Sequence, residues 1–113
     1  MTTTTDRLEA FLGKAVADLG AAASAVLVSI GDELGLYSAL ARQPLSAREL
    51  SQETGTSERY IREWLANQAA SGYVEFDPAD DKYYLNDEQS ACLAGADGPA
   101  DLPGAYQIIR DLF

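Results

Sequence analysis

A run of helix-start and helix-stop signals within Leu45–Leu85 constrains the fold of this chain more than any other feature. Ser46 is followed three residues later by Glu49, which is the spacing of a capping box. Leu45 and Leu50 occupy the two positions of a hydrophobic staple around the same cap. The sequence therefore predicts a helix that begins at Ser46.

The residues that follow predict a second helix and then a hairpin. Gly55 is expected to end the first helix in the left-handed conformation, and a new helical pattern opens after Thr56 and continues to Gly72. Two β-prone runs come next, at Tyr73–Phe76 and Lys82–Leu85, separated by a turn that contains Pro and Asp. Helix, turn, helix and hairpin is the outline of a winged helix-turn-helix.

The charge of the chain argues against the usual role of that outline, which is DNA binding. Eight Lys and Arg stand against eighteen Asp and Glu, for a formal net charge of −10, and a DNA duplex is itself densely anionic. On the second helix Arg59 and Arg62 are matched by Glu58 and Glu63, and the hairpin turn carries three aspartates against Lys82. We therefore expect no nucleic-acid partner.

Two helices are predicted before the winged helix. Asp6 with Glu9 is a plausible capping pair for the first, which has apolar residues at helical spacing up to Gly20. The second, from Ala21 to Leu36, is apolar on nearly every side and must be covered on every side. A partner chain is one cover and an internal core is the other. We predict a homodimer, with these candidate interface residues: Leu8, Phe11, Leu12, Val26, Ile30 and Leu34.

The remaining segments divide the chain. Residues 1–5 are predicted to be a disordered polar lead, 6–95 the winged-helix dimerisation domain, and 96–113 a loop and helix that lead toward a further domain. Within the domain, a short helix is expected at Ser38–Arg42, and Asn86 with Gln89 is expected to cap a last helix. The fold class is mainly α, with one small β-hairpin.

No catalytic constellation is recognisable in the sequence. The chain has no His and a single cysteine, Cys92, so the commonest general base and a cysteine zinc site are both missing. Neither G-x-G-x-x-G nor G-x-x-x-x-G-K occurs. Tyr60 and Trp64 lie one helical turn apart and form either an aromatic platform or, more commonly, part of a core or dimer surface. We expect no catalytic, cofactor-binding or metal-binding residue in this chain.

A lone cysteine is typical of a reducing compartment. The sequence contains no run of about 18 uninterrupted apolar residues, which is the pattern that predicts a membrane span. The sequence therefore predicts a cytoplasmic protein that does not associate with membranes.

The ordered set of local motifs resembles a known family. The residues that carry the resemblance are Gly35-Leu36-Tyr37-Ser38-Ala39-Leu40, Pro44-Leu45-Ser46, Glu49-Leu50, Thr54-Gly55, Arg62-Glu63-Trp64-Leu65, Ser71-Gly72-Tyr73-Val74 and Pro103-Gly104-Ala105-Tyr106-Gln107. Together they look like the N-terminal winged-helix dimerisation domain of bacterial class I S-adenosylmethionine-dependent methyltransferases, of the actinobacterial and mycobacterial type.

The resemblance implies a division of labour. In such proteins a C-terminal domain holds S-adenosylmethionine, while the front domain builds the dimer and covers the substrate. By this analogy the candidate substrate-pocket residues are Tyr106, Ile109 and Phe113, and the partner of the whole protein is a small-molecule methyl acceptor. The alternatives are an acidic winged-helix transcriptional regulator and a free-standing protein-interaction module.

Overall fold

The computed structural model describes residues 3–95 together with Ile108, Asp111 and Leu112. Residues 3–95 form five helices and a two-stranded antiparallel sheet, which confirms a mainly α fold with one small hairpin. In chain order the elements are α1 (Thr4–Glu33), α2 (Leu36–Arg42), α3 (Ala47–Thr54), α4 (Glu58–Ala70), β1 (Glu75–Asp77), β2 (Lys82–Tyr84) and α5 (Asp87–Leu93).

The N-terminal region is one helix of 30 residues, so the predicted division into two helices at Gly20 is wrong. A helix-ending glycine normally adopts positive φ, and Gly20 does not. A glycine inside a helix costs only about 1 kcal/mol, and the alanines that follow Gly20 are strong helix formers. The cap also differs: Thr3 and Asp6 form the capping box, so Thr4 and Thr5 of the predicted lead lie in the first turn.

The helix-turn-helix forms where its sequence signals lie. The Oγ of Ser46 accepts a hydrogen bond from the backbone N–H of Glu49 at 3.1 Å, and the Glu49 carboxylate accepts from the Ser46 N–H at 2.9 Å. Gly55 ends α3 with φ of 66°. The left-handed Gly35, with φ of 75°, starts α2 at Leu36, two residues before the predicted start at Ser38. Asn86 and Gln89 form the predicted capping box of α5.

The hairpin is shorter than predicted. Phe76 pairs with Tyr83 in its centre, and Tyr83 also makes a two-bond bridge to Leu45. β1 starts at Glu75 because the backbone N–H groups of Tyr73 and Val74 donate to the carbonyl of Gln68 and thereby close the end of α4. The hairpin thus lies beside the start of α3, in the position of a wing.

The core lies between α2, α3 and α4 and the C-terminal end of α1. Its largest fully buried side chains are Trp64, Tyr37, Leu36, Leu40, Leu50, Ile61, Leu65, Gln68, Val28 and Val74. The buried Gln68 accepts a hydrogen bond from the hydroxyl of Tyr37. Among the described residues, every buried side-chain nitrogen and oxygen atom has a hydrogen-bond partner, as is usual in protein cores.

Candidate interaction surface

The C-terminal part of α1 packs against α4 around one tryptophan. Trp64 is 2% exposed, and its indole Nε1 donates a hydrogen bond of 2.8 Å to the backbone carbonyl of Leu27. Its ring lies 5.2 Å from that of Tyr37, and both rings face Gly31. Ala25 and Val28 are buried at the same contact. The end of α1 is thus fixed to the winged helix, and Trp64 is a core residue rather than part of an exposed platform.

The rest of α1 extends away from the domain. A helix of 30 residues is about 45 Å long, and the longest dimension of the molecule is 53 Å. The large apolar side chains of its N-terminal part face solvent: Phe11 is 69% exposed and Leu19 is 72% exposed. Single exposed apolar residues are ordinary, but a continuous series on one helix marks an interaction surface.

Most of the apolar residues of α1, although not Phe11, share one face of the helix, which we call the α1 stripe. Its members recur at spacings of three or four, the spacing of neighbours on one helix face. They are Leu8, Leu12, Ala15, Val16, Leu19, Ala23, Val26, Ile30 and Leu34. Of the six predicted interface residues, Leu8, Phe11, Leu12 and Leu34 are exposed, and Val26 and Ile30 are half-buried. The structure places five of them on the α1 stripe and Phe11 to one side of it, and the contact of all six with a partner stays a prediction.

A groove borders the stripe at its C-terminal end. Its larger part has a volume of about 550 Å³ and is lined by Leu34, Thr56, Ser57, Arg59, Tyr60 and Glu63. A smaller part, of about 190 Å³, is lined by Leu27, Tyr60, Glu63 and Trp64. Tyr60 is 48% exposed and belongs to both parts. This α1–α4 groove was not predicted from the sequence, because it forms only where two helices that are distant in the chain meet.

The face that a winged helix would present to DNA carries two basic side chains that each lie beside a glutamate. Arg62 on α4 forms an ion pair of 3.3 Å with Glu58, one turn earlier. Lys82 on the hairpin lies 3.7 Å from the carboxylate of Glu49. The hydrogen bond from the Ser46 backbone holds the pKa of Glu49 below its usual value, and the charge of Lys82 acts in the same direction. Both effects favour the ionised form of Glu49 beside the lysine.

The residues described contain no grouping that suggests catalysis. None of their Cys, Asp and Glu side chains form a cluster that could hold a metal ion. Cys92 is half-buried and lines a shallow cleft of about 220 Å³ with Tyr73 and Leu93. Tyr106, Ile109 and Phe113, the candidate substrate-pocket residues, lie outside the described residues.

Nor do these residues fit S-adenosylmethionine. Class I methyltransferases hold this cofactor at a Gly-rich turn between a strand and a helix, as dinucleotide-binding folds do. The strands described here are an antiparallel pair of three residues each, and the link from β2 to α5, Leu85-Asn86, contains no glycine.

By length and composition α1 could also cross a membrane, which the sequence did not lead us to expect. Its most apolar window of 18 residues has a mean hydropathy of 1.6, and 11% of that window is buried. The mostly buried core helix of a soluble protein and a signal sequence near the N-terminus pass the same test. In this chain the C-terminal part of α1 is occupied by its contact with Trp64.

Comparisons with known proteins agree with the winged-helix fold. No curated protein sequence gives a significant match. Among solved structures, one described as "PigF with SAH" superimposes with a TM-score of 0.69 at 21% sequence identity. That match covers 100% of this chain and 30% of the PigF chain, so this chain spans less than a third of its length. The family model described as "Rv2258c-like winged HTH domain" matches residues 22–95, which is well over half of the chain. The chain therefore belongs to the Rv2258c-like winged helix-turn-helix domain family.

Proposed function

We propose that this chain is the dimerisation and substrate-covering domain at the front of an S-adenosylmethionine-dependent small-molecule methyltransferase. The observation that carries the proposal is the combination of two features: a winged helix in which Arg62 and Lys82 each lie beside a glutamate, and a long helix whose apolar side chains are exposed among the described residues. Such a domain is built to bind protein rather than nucleic acid.

The similarity to the SAH-bound structure supports the methyltransferase part of the proposal. SAH is what S-adenosylmethionine becomes after it has given up its methyl group. The PigF chain is more than three times as long as the segment that this chain matches, so most of that protein lies outside the shared fold. By analogy the cofactor belongs to a separate C-terminal domain, and residues 96–113, with Tyr106, Ile109 and Phe113, lead toward it.

The surface of α1 supports the dimerisation part. A large apolar side chain contributes roughly 100 Å² when it is buried. The exposed members of the α1 stripe, together with Phe11 and Tyr60, therefore offer an area close to the ~800 Å² that each partner buries in a standard interface. Two-fold dimers are the commonest way to cover such a surface. The single cysteine fits a reducing, cytoplasmic setting.

Sedimentation equilibrium tests dimerisation directly. At micromolar concentration we expect a mass twice that of the 12.1 kDa chain. Val16→Asp should weaken the dimer because it places a charge on the stripe. Ala17→Asp is the matched control: Ala17 is also exposed at the middle of the same helix, but it lies half a turn away from the stripe. Equal masses for the two variants, or a monomer in the unmodified chain, would contradict this part of the proposal.

Calorimetry and a methyl-transfer assay test the rest. Residues 1–113 alone should give no heat with S-adenosylmethionine and transfer no methyl group. The gene product that includes a C-terminal catalytic domain should bind the cofactor. Deletion of residues 1–95 from it should lower acceptor turnover more than cofactor affinity, because the front domain covers the acceptor. A native protein that has no cofactor domain would overturn the methyltransferase assignment while leaving the dimer intact.

A further inference from the structure

We infer that two copies of this chain pair through α1 in antiparallel orientation, about a two-fold axis level with Ala21. The N-terminal half of each α1 then lies along the C-terminal half of the other, and its tip reaches the α1–α4 groove of the partner. The inference rests on the proposed dimerisation and adds the direction and the register of the paired helices.

The first argument is that the α1 stripe is symmetric about Ala21. In an antiparallel pair centred there, residues at equal distances on either side of Ala21 face each other. This register pairs Leu8 with Leu34, Leu12 with Ile30, Val16 with Val26, and Leu19 with Ala23. Every large apolar member of the stripe thus meets an apolar partner, as a two-fold interface requires of a single surface.

The second argument is the composition at the centre. Ala23 lies within the stripe, Gly20 and Ala22 lie at its edges, and all three are small; Gly20 has no other atom within 4 Å of the position of a Cβ. Two helices approach more closely where their side chains are small. The centre of the proposed pair is therefore the place where the two helices can come closest.

The third argument is that residues 3–95 do not cover the stripe themselves. Ala25 and Val28 face the winged helix, whereas the stripe lies on the opposite side of α1. Leu8 and Leu34 are 26 positions apart in one straight helix, or about 39 Å. The exposed tip of α1 therefore cannot reach the groove of its own chain.

The groove decides the direction. In the antiparallel arrangement Leu8 of one chain arrives beside Leu34 of the other, at the edge of the groove that Tyr60 lines. A parallel pair would instead place the two tips together, about 39 Å from either groove. Of the two arrangements, the antiparallel one brings the exposed tip of α1 to the groove.

Disulfide trapping tests the register. In a Cys92→Ser background, Leu12→Cys and Ile30→Cys are prepared as separate chains, one of them with an affinity tag, and are mixed, equilibrated and mildly oxidised. Facing positions can meet the ~5.5 Å Cα separation that a disulfide needs. We expect cross-linked heterodimers that contain one chain of each kind, and no cross-link in Leu12→Cys alone. Ala17→Cys mixed with Ile30→Cys is the matched control and should not cross-link.

Sedimentation of the same samples separates the possible failures. A dimer in which Leu12→Cys cross-links to itself would show a parallel pair and overturn the inference, while the proposed dimerisation would survive. A dimer in which Leu12→Cys and Ile30→Cys do not cross-link to each other would overturn the register. A monomer that floats with phosphatidylcholine vesicles would overturn both, because lipid would then cover α1.

A double-mutant cycle gives a second readout that does not depend on disulfide geometry. Leu8→Ala and Leu34→Ala should each weaken the dimer by about tenfold or more. If these residues touch across the interface, the double substitution should raise the dimer dissociation constant by a factor clearly smaller than the product of the two single factors. Fully multiplicative effects would contradict the contact.

Discussion

Gly31 is the position where a single methyl group should do most harm to the fold. It lies on the last turn of α1, against the rings of Trp64 and Tyr37. A Cβ at position 31 would overlap the indole ring of Trp64 and lie 2.9 Å from Cε2 of Tyr37. Neither ring has room to move, because both are almost fully buried and Trp64 is held by its hydrogen bond to Leu27.

The magnitude follows from two opposing effects. Replacing glycine by alanine inside a helix stabilises by about 1 kcal/mol. Overpacking a well-filled core costs about 1–3 kcal/mol, and displacing Trp64 would weaken a hydrogen bond worth about 1 kcal/mol. For Gly31→Ala we therefore expect a net loss of about 2 kcal/mol in the free energy of unfolding. In a domain of this size that lowers Tm by about 10 °C.

Gly13→Ala is the matched control, since Gly13 lies on the same helix with nothing within 4 Å of a Cβ. It should stabilise the protein by up to about 1 kcal/mol. Urea unfolding followed by circular dichroism at 222 nm, at one fixed protein concentration, measures both variants. If Gly31→Ala were as stable as Gly13→Ala, the close packing of α1 on Trp64 would be refuted.

Three further predictions concern the helix-turn-helix. Ser46→Ala removes the cap of α3 and should lower the free energy of unfolding by about 1 kcal/mol in urea; an unchanged midpoint would show that the cap does not contribute. Because the pKa of Glu49 is lowered in the folded state, its carboxylate stabilises the fold above the usual glutamate pKa, and this contribution is lost as the pH falls through the folded-state pKa. Glu49→Gln should therefore be less stable than the unmodified chain at neutral pH and should approach it in acid, and a constant difference across pH would exclude this linkage. In gel-shift assays with a random duplex pool at low salt, binding should be weak and ionic; selection of one sequence, lost on Arg59→Ala or Arg62→Ala, would favour the regulator alternative.

The sequence by itself determined the features that depend on neighbouring residues. The capping boxes at Ser46 and Asn86 and the left-handed Gly55 were all predicted, because each rests on hydrogen bonds or dihedral angles within a few residues. The hairpin was predicted for the same reason, although β1 begins later because Tyr73 closes the end of α4. The apolar face of α1 was likewise visible in the spacing of its residues.

The tertiary structure decided how each signal is used. Gly20 was predicted to end a helix and Gly31 lay within the next one, yet Gly20 has open space around its Cβ position, whereas Gly31 lies against Trp64, where only glycine fits. Tyr60 and Trp64 were one aromatic pair in the sequence, yet Trp64 is in the core and Tyr60 lines the α1–α4 groove. Such differences depend on which distant element packs against a residue, and local spacing carries no information about that. The groove itself exists only because the C-terminal end of α1 meets α4.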